Sequence, residues 1–297
     1  MSHRWNERDP AGRIAYVNGR YLRHGEAGVH IEDRGLQLGD SVYEVCRLAD
    51  GCLFDVEEHL DRLERSLGEI EMTMPMERKA LKAVMAETVR RNGIRDGLLC
   101  LQVTRGALRR DHPIPRIAPK PTLILTVHGM DRDAIARRSA EGVDVITHRD
   151  ERWGRCDIKT TQLLANLLAK TAARRAGAFE AWLVDPDGFV TEGTSTNAWI
   201  VDPDGRLVTR ELSPAILPGV TRRVILEAIE AERMPVVQRR FTPAEAIAAR
   251  EAFLSSATGG AVPVVAIDGH KVGDGKPGPV TRRIMELYTQ YSRDRLA

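Results

Sequence analysis

The sequence has no stretch of apolar residues long enough for a signal-peptide core or a membrane span, and its first thirty residues are charged throughout. That pattern leads us to expect a cytoplasmic protein with no membrane partner. Net charge is lacking too: 44 basic residues against 42 acidic ones leave +2. So small an excess does not hold a polyanion, and no nucleic-acid partner is expected. The four cysteines, Cys46, Cys52, Cys100 and Cys156, form no CxxC pair and no CxxC…H spacing. This removes the usual zinc and dithiol readings, so no metal is expected and the thiols should be reduced and mostly buried. Lysine is scarce, with seven lysines against 37 arginines. A lysine-dependent mechanism therefore has few places to reside.

At 297 residues the chain can bury a sizeable core, in one large domain or two ordinary ones. Two short strand-like runs flank Asn18-Gly19, a dipeptide suited to a hairpin turn. SVYEVCRLADGCLF reads as strand, Asp50-Gly51 turn and strand. DVEEHLDRLERSLGEIE is an amphipathic helix with Val56, Leu60, Leu63, Leu67 and Ile70 on one face, opened by a capping box from Asp55 to Glu58. A helix from Glu77 to Asn92 stops at Gly93, and GLLCLQVTRG and PTLILTVHG are strands around the polar loop ALRRDHPIPRIAPK. MDRDAIARRSAEG reads as a linker, giving a smaller N-terminal α/β domain (1–130), a linker (131–142) and a larger C-terminal α/β domain (143–297).

Beyond the linker, VDVITH is a strand and TTQLLANLLAKTAARRAG a helix stopped by Gly177. AWLVDPDGFVTE and AWIVDPDGRLVTR read as successive hairpins turned by Asp-Pro-Asp-Gly. A helix from Gly219 to Glu232, the strand PVVQRRF, a short helix capped at Thr242-Pro243, the strands AFLSS and VPVVAID and a C-terminal helix complete the chain. The mixture defines an α+β or mixed α/β class, with helices packed on mixed sheets.

Lys159 in RCDIKTTQLL precedes an apolar helix, where a lysine loses its proton at moderate cost, as Schiff-base chemistry needs. Taken alone, a surface lysine at a helix start is the commoner case. Glu192 in VTEGTSTN sits where a strand gives way to Gly193 and a run of hydroxyls; it is either a turn carboxylate or a partner for a protonated heterocyclic nitrogen. Leu217 to Arg222, LPGVTR, opens a helix with free N–H groups, a glycine and a hydroxyl, which suits a phosphate as well as an ordinary cap. Arg62 reads as one of several solvent-facing arginines. Arg109, Arg110 and His112 form either a solvated loop or a carboxylate clamp.

EDRGLQLGDSVYEV, FDVEEHLDRL, DIKTTQLLANLLAK, VTEGTSTNAW, LPGVTRRVI and FLSSATGGAVPV occur in an order and at spacings that resemble the class IV aminotransferases, enzymes that use pyridoxal 5'-phosphate (PLP). The resemblance implies the two-domain fold type IV, with the larger C-terminal domain carrying the PLP lysine. By it, Lys159 matches the Schiff-base lysine and Glu192 the carboxylate on the pyridine nitrogen. Arg62 matches the arginine on the cofactor phosphate, which Val220 and Thr221 also bind, and Ser256, Ala257 and Thr258 border the same group. QVTRGALRRDH is most similar to the D-amino-acid aminotransferase branch, in which a loop arginine and histidine bind the substrate α-carboxylate. Here these are Arg110 and His112, with Tyr43 as a third contributor. In that branch the loop enters the neighbouring subunit's site, which implies a homodimer. The implied reaction is transamination between D-amino acids of the D-alanine and D-glutamate type and 2-oxo acids such as 2-oxoglutarate and pyruvate. Two positions depart from the pattern: Ala257 stands where many members have threonine, and Cys100 where the D-amino-acid branch has an aromatic residue.

Three rivals share the fold: an L-branched-chain aminotransferase, a lyase releasing pyruvate from aminodeoxychorismate, and an (R)-amine aminotransferase. The Arg110/His112 pair argues against all three. A non-catalytic phosphate- or nucleotide-binding protein would leave Lys159 and Glu192 unexplained, and a serine hydrolase lacks its G-x-S-x-G elbow.

Overall fold

The computed structural model describes residues 12–294, with side chains as far as 291, so the first eleven of the charged opening residues lie outside the described part. The chain divides into two compact units. The first ends at Met130 and also takes up Lys159–Thr161, and the second comprises the remainder.

In the first unit, β1 (Ile14–Val17) and β2 (Arg20–Arg23) form a hairpin whose turn residues Asn18 and Gly19 have φ of 46° and 92°. An asparagine and a glycine are the residues that tolerate that left-handed pair. Helix α1 (Arg34–Leu38) is capped by Asp33, whose carboxylate accepts from the Gly35 amide. With β3 (Ser41–Ala49), β4 (Cys52–Leu53), β5 (Gly97–Thr104) and β6 (Thr122–Gly129), the hairpin completes a six-stranded sheet in the order β2-β1-β6-β5-β3-β4.

Strand alternation gives this sheet two different faces. One buries Val42, Cys46, Leu48, Leu99, Leu101 and Leu125 beneath α2 (Val56–Glu69) and α3 (Arg78–Asn92), which contribute Leu60, Leu63, Leu67, Leu81 and Met85. Truncating one of these leucines to alanine would cost about 2–5 kcal/mol. The opposite face presents Tyr43, Val45 and Arg47 from β3, Leu98, Cys100 and Gln102 from β5, and Ile124, Thr126 and His128 from β6, all half-buried.

The second unit carries a nine-stranded sheet built from α/β and hairpin segments. Helix α4 (Arg132–Glu141) leads into β7 (Val143–Arg149), and α5 (Leu164–Arg175) into the hairpins β8 (Glu180–Val184) with β9 (Val190–Gly193) and β10 (Asn197–Val201) with β11 (Leu207–Thr209). Then come α6 (Val220–Ala231), β12 (Val236–Gln238), α7 (Pro243–Ile247), β13 (Glu251–Ser256), β14 (Gly260–Ile267), β15 (His270–Lys271) and α8 (Pro279–Asp294). The strand order is β12-β11-β10-β13-β14-β7-β8-β9, with β15 on β14. Both faces are covered: Ala198 and Ile200 of β10 join a core with Trp182, Val190 and Phe241, while Trp199 and Val201 join Phe253, Val224, Ile225 and Ile284. Such a strand reads as a continuous apolar run rather than an alternating one.

Four expectations need correction. Asp55 takes a left-handed conformation (φ 52°) and makes no side-chain cap, so the Asp55–Glu58 capping box does not form. Residues 132–141, read as linker, are the helix α4; none of its side chains is buried, which is why no apolar stripe marked it. Helix α5 starts at Leu164, because Thr160 and Thr161 are extended alongside β3 instead. Of the four cysteines only Cys46 is buried; Cys52 is exposed and Cys100 and Cys156 are half-buried, all four as free thiols.

Candidate active site

Lys159 belongs to the first unit through its backbone. The Tyr43 amide donates to the Lys159 carbonyl (3.0 Å), the Thr161 amide donates to the Ser41 carbonyl (3.2 Å), and Thr160 pairs with Val42. The Lys159 amide donates to Ser66 Oγ on α2 (3.4 Å), and the Ser41 and Thr161 hydroxyls hydrogen-bond to each other. Three consecutive residues are thus stitched to the start of β3. The ammonium then lies over the Tyr43 ring, 4.3 Å from its centre. A cation over the face of an aromatic ring is an attractive arrangement that fixes the lysine's direction.

Arg110 and His112 are exposed, in the loop that follows β5. Sequence reasoning missed what holds that loop. Arg34, 3% exposed, donates to the carbonyls of Asp111 (2.6 Å) and His112 (3.3 Å), while its Nε pairs with Asp40 (2.7 Å). Asp40 also receives Arg105 through Nε (2.7 Å) and Nη2 (3.0 Å). Burial pushes the Asp40 carboxyl up, and the two guanidiniums more than offset this, leaving it below the ordinary range. The signal lay in EDRGLQLGD, a segment dense in charge and glycine, but nothing in it names the loop as its partner.

Arg62 is buried rather than solvent-facing. Its Nε and Nη2 donate to the two oxygens of Glu44 (2.8 and 2.7 Å), and His59 Nδ1 lies 2.7 Å from the same carboxylate. Burial raises the Glu44 carboxyl, yet Arg62 and His59 bring it down to about 2.

In the second unit Glu192 is buried, 4% exposed, on β9. Its carboxylate accepts from Arg152 Nη1 (2.5 Å), Asn197 Nδ2 (2.9 Å) and the Leu217 amide (3.1 Å). Burial pushes its carboxyl above the usual range, against the pull of Arg152 and the Leu217 amide. Arg152, which sequence reasoning did not single out, is itself aligned by Asp150 (2.8 Å).

The segment that touches Glu192 through Leu217 continues into α6, whose N-cap Gly219 supplies no side-chain cap. A β-carbon at Gly219 would collide with Asn197 Oδ1, so the close approach requires glycine. Val220 and Thr221 are buried on the first turn, and helix geometry leaves first-turn N–H groups without intrahelical acceptors. Arg222 beside them is 3% exposed, with Nε buried and unpartnered and its guanidinium brought down to about 10 by burial. A buried cation and open N–H groups at one helix start form an anion-binding end. The neighbouring Glu192 carboxylate is oriented by Arg152, Asn197 and the Leu217 amide. Ser256, Ala257 and Thr258 form the turn after β13, where Ser256 Oγ and Thr258 Oγ1 are 3.0 Å apart. This donor set fits PLP: an anion end for the phosphate and an acid for the ring nitrogen.

These features match a described family. The family model for amino-transferase class IV matches residues 41–267, and the chain belongs to the class IV aminotransferases. Among individual relatives, D-alanine aminotransferase of Bacillus licheniformis is 39% identical over 90% of this chain and 93% of its own. That of Staphylococcus haemolyticus is 38% identical, covering 94% and 98%. Among solved structures, a branched-chain amino acid aminotransferase of T.th., complexed with N-(5'-phosphopyridoxyl)-L-glutamate, superposes with a TM-score of 0.84 at 27% identity, covering 96% and 95%.

Proposed function

We propose that the chain is a PLP-dependent D-amino-acid transaminase, passing amino groups from donors such as D-alanine and D-glutamate to 2-oxo acids such as 2-oxoglutarate and pyruvate. The observation that carries the reading is the 39% identity to a D-alanine aminotransferase over nearly the whole length of both chains.

The roles follow from chemistry. Lys159 Nζ holds the cofactor and then moves the proton at the substrate α-carbon. Bound PLP supplies an electron sink for the pair that this proton leaves behind. Glu192, oriented by Arg152 and Asn197, keeps the ring nitrogen protonated. The first turn of α6 at Val220 and Thr221, together with Arg62 and the turn Ser256–Ala257–Thr258, holds the phosphate. Tyr43, Arg110 and His112 take the substrate α-carboxylate, with the loop supplied by a second copy. A homodimer is further supported by the exposed Leu164, Leu167 and Leu168 on α5, at 70%, 60% and 57%. The working compartment is the cytoplasm.

Purified protein assayed with paired D- and L-amino acids tests the reading. Turnover of D-alanine with 2-oxoglutarate supports it; faster turnover of L-leucine overturns it in favour of the branched-chain alternative.

A further inference from the structure

We infer that Arg47 receives the distal carboxylate of dicarboxylic substrates, setting a preference for D-glutamate-type donors and 2-oxoglutarate-type acceptors; this rests on the transaminase reading above. On the open face of the six-stranded sheet, Tyr43, Val45 and Arg47 form one line along β3, opposite Gln102, Cys100 and Leu98 of β5. The reacting end of that line is marked by Lys159, whose ammonium lies 4.3 Å from the Tyr43 ring centre and whose charge reaches Cys100. Arg47 stands four residues along the strand from Tyr43, about 13 Å between Cα atoms at the usual rise, and its long stem can reach back over Val45.

The path between them is low. Val45 and Cys100 are its floor, and a thiol at position 100 leaves room that a larger side chain would fill. None of the side chains named on this face from β3, β5 and β6 is an acid. Arg47 also differs from the buried arginines of its unit. Arg34 and Arg105 share Asp40 and Arg62 holds Glu44, whereas among the described residues Arg47 has no carboxylate and only the Phe54 ring, 5.9 Å from its guanidinium carbon. A half-buried guanidinium lying by an aromatic ring, with no counter-charge, presents its planar fork to a two-oxygen anion. D-Alanine has no second carboxylate to offer it.

The test measures kcat/KM for D-glutamate and D-alanine, and calorimetric binding of glutarate and butyrate, on the holoenzyme of wild type, R47M, R47K and C100F. R47M should lower the D-glutamate to D-alanine ratio and weaken glutarate relative to butyrate by about ten- to hundred-fold, the range for losing a charged hydrogen-bond partner. R47K should fall between, and C100F should lower the same ratio with Arg47 intact, so the test survives if R47M does not fold. A ratio and a glutarate affinity that stay within about three-fold of wild type overturn the assignment while leaving the transaminase reading intact. A wild type that turns over neither D-amino acid overturns that reading and this inference together.

Discussion

Lys159 and Tyr43 are joined twice: backbone to backbone at 3.0 Å, and ammonium to ring at 4.3 Å. The first contact fixes where the lysine enters the sheet and the second fixes where its amine points. A flexible four-carbon side chain is thereby held in one direction.

Lys159→Ala should abolish the visible absorption of the cofactor-loaded enzyme and lower transamination by at least about 10²–10⁴-fold, the usual contribution of a positioned proton-transfer group. Absorbance spectra and turnover of the purified variant provide the check. Retention of wild-type turnover would show that another of the seven lysines does the work.

Glu192→Gln removes the charge while keeping the shape and the hydrogen bonds from Asn197 and Leu217. Turnover should fall by about 3 kcal/mol or more, roughly 10²-fold, as for loss of a preorganised charge at a reacting site. The fall should appear in kcat, with substrate KM much less affected, and steady-state kinetics on D-alanine separates the two. A normal kcat would refute the assigned role.

Acid should destabilise the first unit through Glu44. Its carboxyl lies at about 2 in the folded protein against an ordinary 4.5, so between those values the unfolded chain binds the additional proton. The stabilisation is complete above about pH 4.5 and is lost as the pH falls toward 2, a contribution on the order of a few kcal/mol. Thermal melts from pH 7 to 2 should show it. Glu44→Gln should be less stable at neutral pH, because Arg62 is left without its counter-charge, and its melting temperature should fall less steeply in acid. Parallel acid limbs for the two proteins would rule this out.

Arg110→Ala should raise KM for D-alanine and lower kcat/KM by about ten- to hundred-fold, the range for losing a charged hydrogen-bond partner of the substrate carboxylate. The enantiomer accepted depends on which side of the pocket takes the carboxylate, since Lys159 must face the α-hydrogen. Paired kinetics on D-alanine and L-leucine should therefore show the loss on the D side. Equal D-alanine kinetics in variant and wild type would remove Arg110 from substrate binding.

Much of the architecture was legible because it depends on local chemistry. Asn18-Gly19 and Asp50-Gly51 name their turns through positive φ, and Leu60, Leu63 and Leu67 name the buried side of α2. Helix α4 was hidden because it buries nothing. At the candidate site, residue types were readable but their partners were not. Arg152 meets Glu192 across forty positions, and Arg34 meets Asp111 and His112 across more than seventy. Arg62 looked like a surface charge because a helical period cannot reveal that a strand offers Glu44 on its inner side. Long-range ion pairs leave no periodic trace in sequence, so the groups that orient such a site emerge only from the fold.

The adoption of Lys159–Thr161 by the first unit has a consequence for the order in which the protein is made. Synthesis delivers β3 early, but the Tyr43 amide and the Ser41 carbonyl find their partners only after residues 131–158, which belong to the other unit, have been translated. At about 5–20 residues per second that is a wait of a few seconds on the ribosome. A nascent chain halted at Met130 has every strand of the six-stranded sheet and still leaves those two groups without the partners of the finished fold. The last stitch of the first unit is also the one that delivers the lysine.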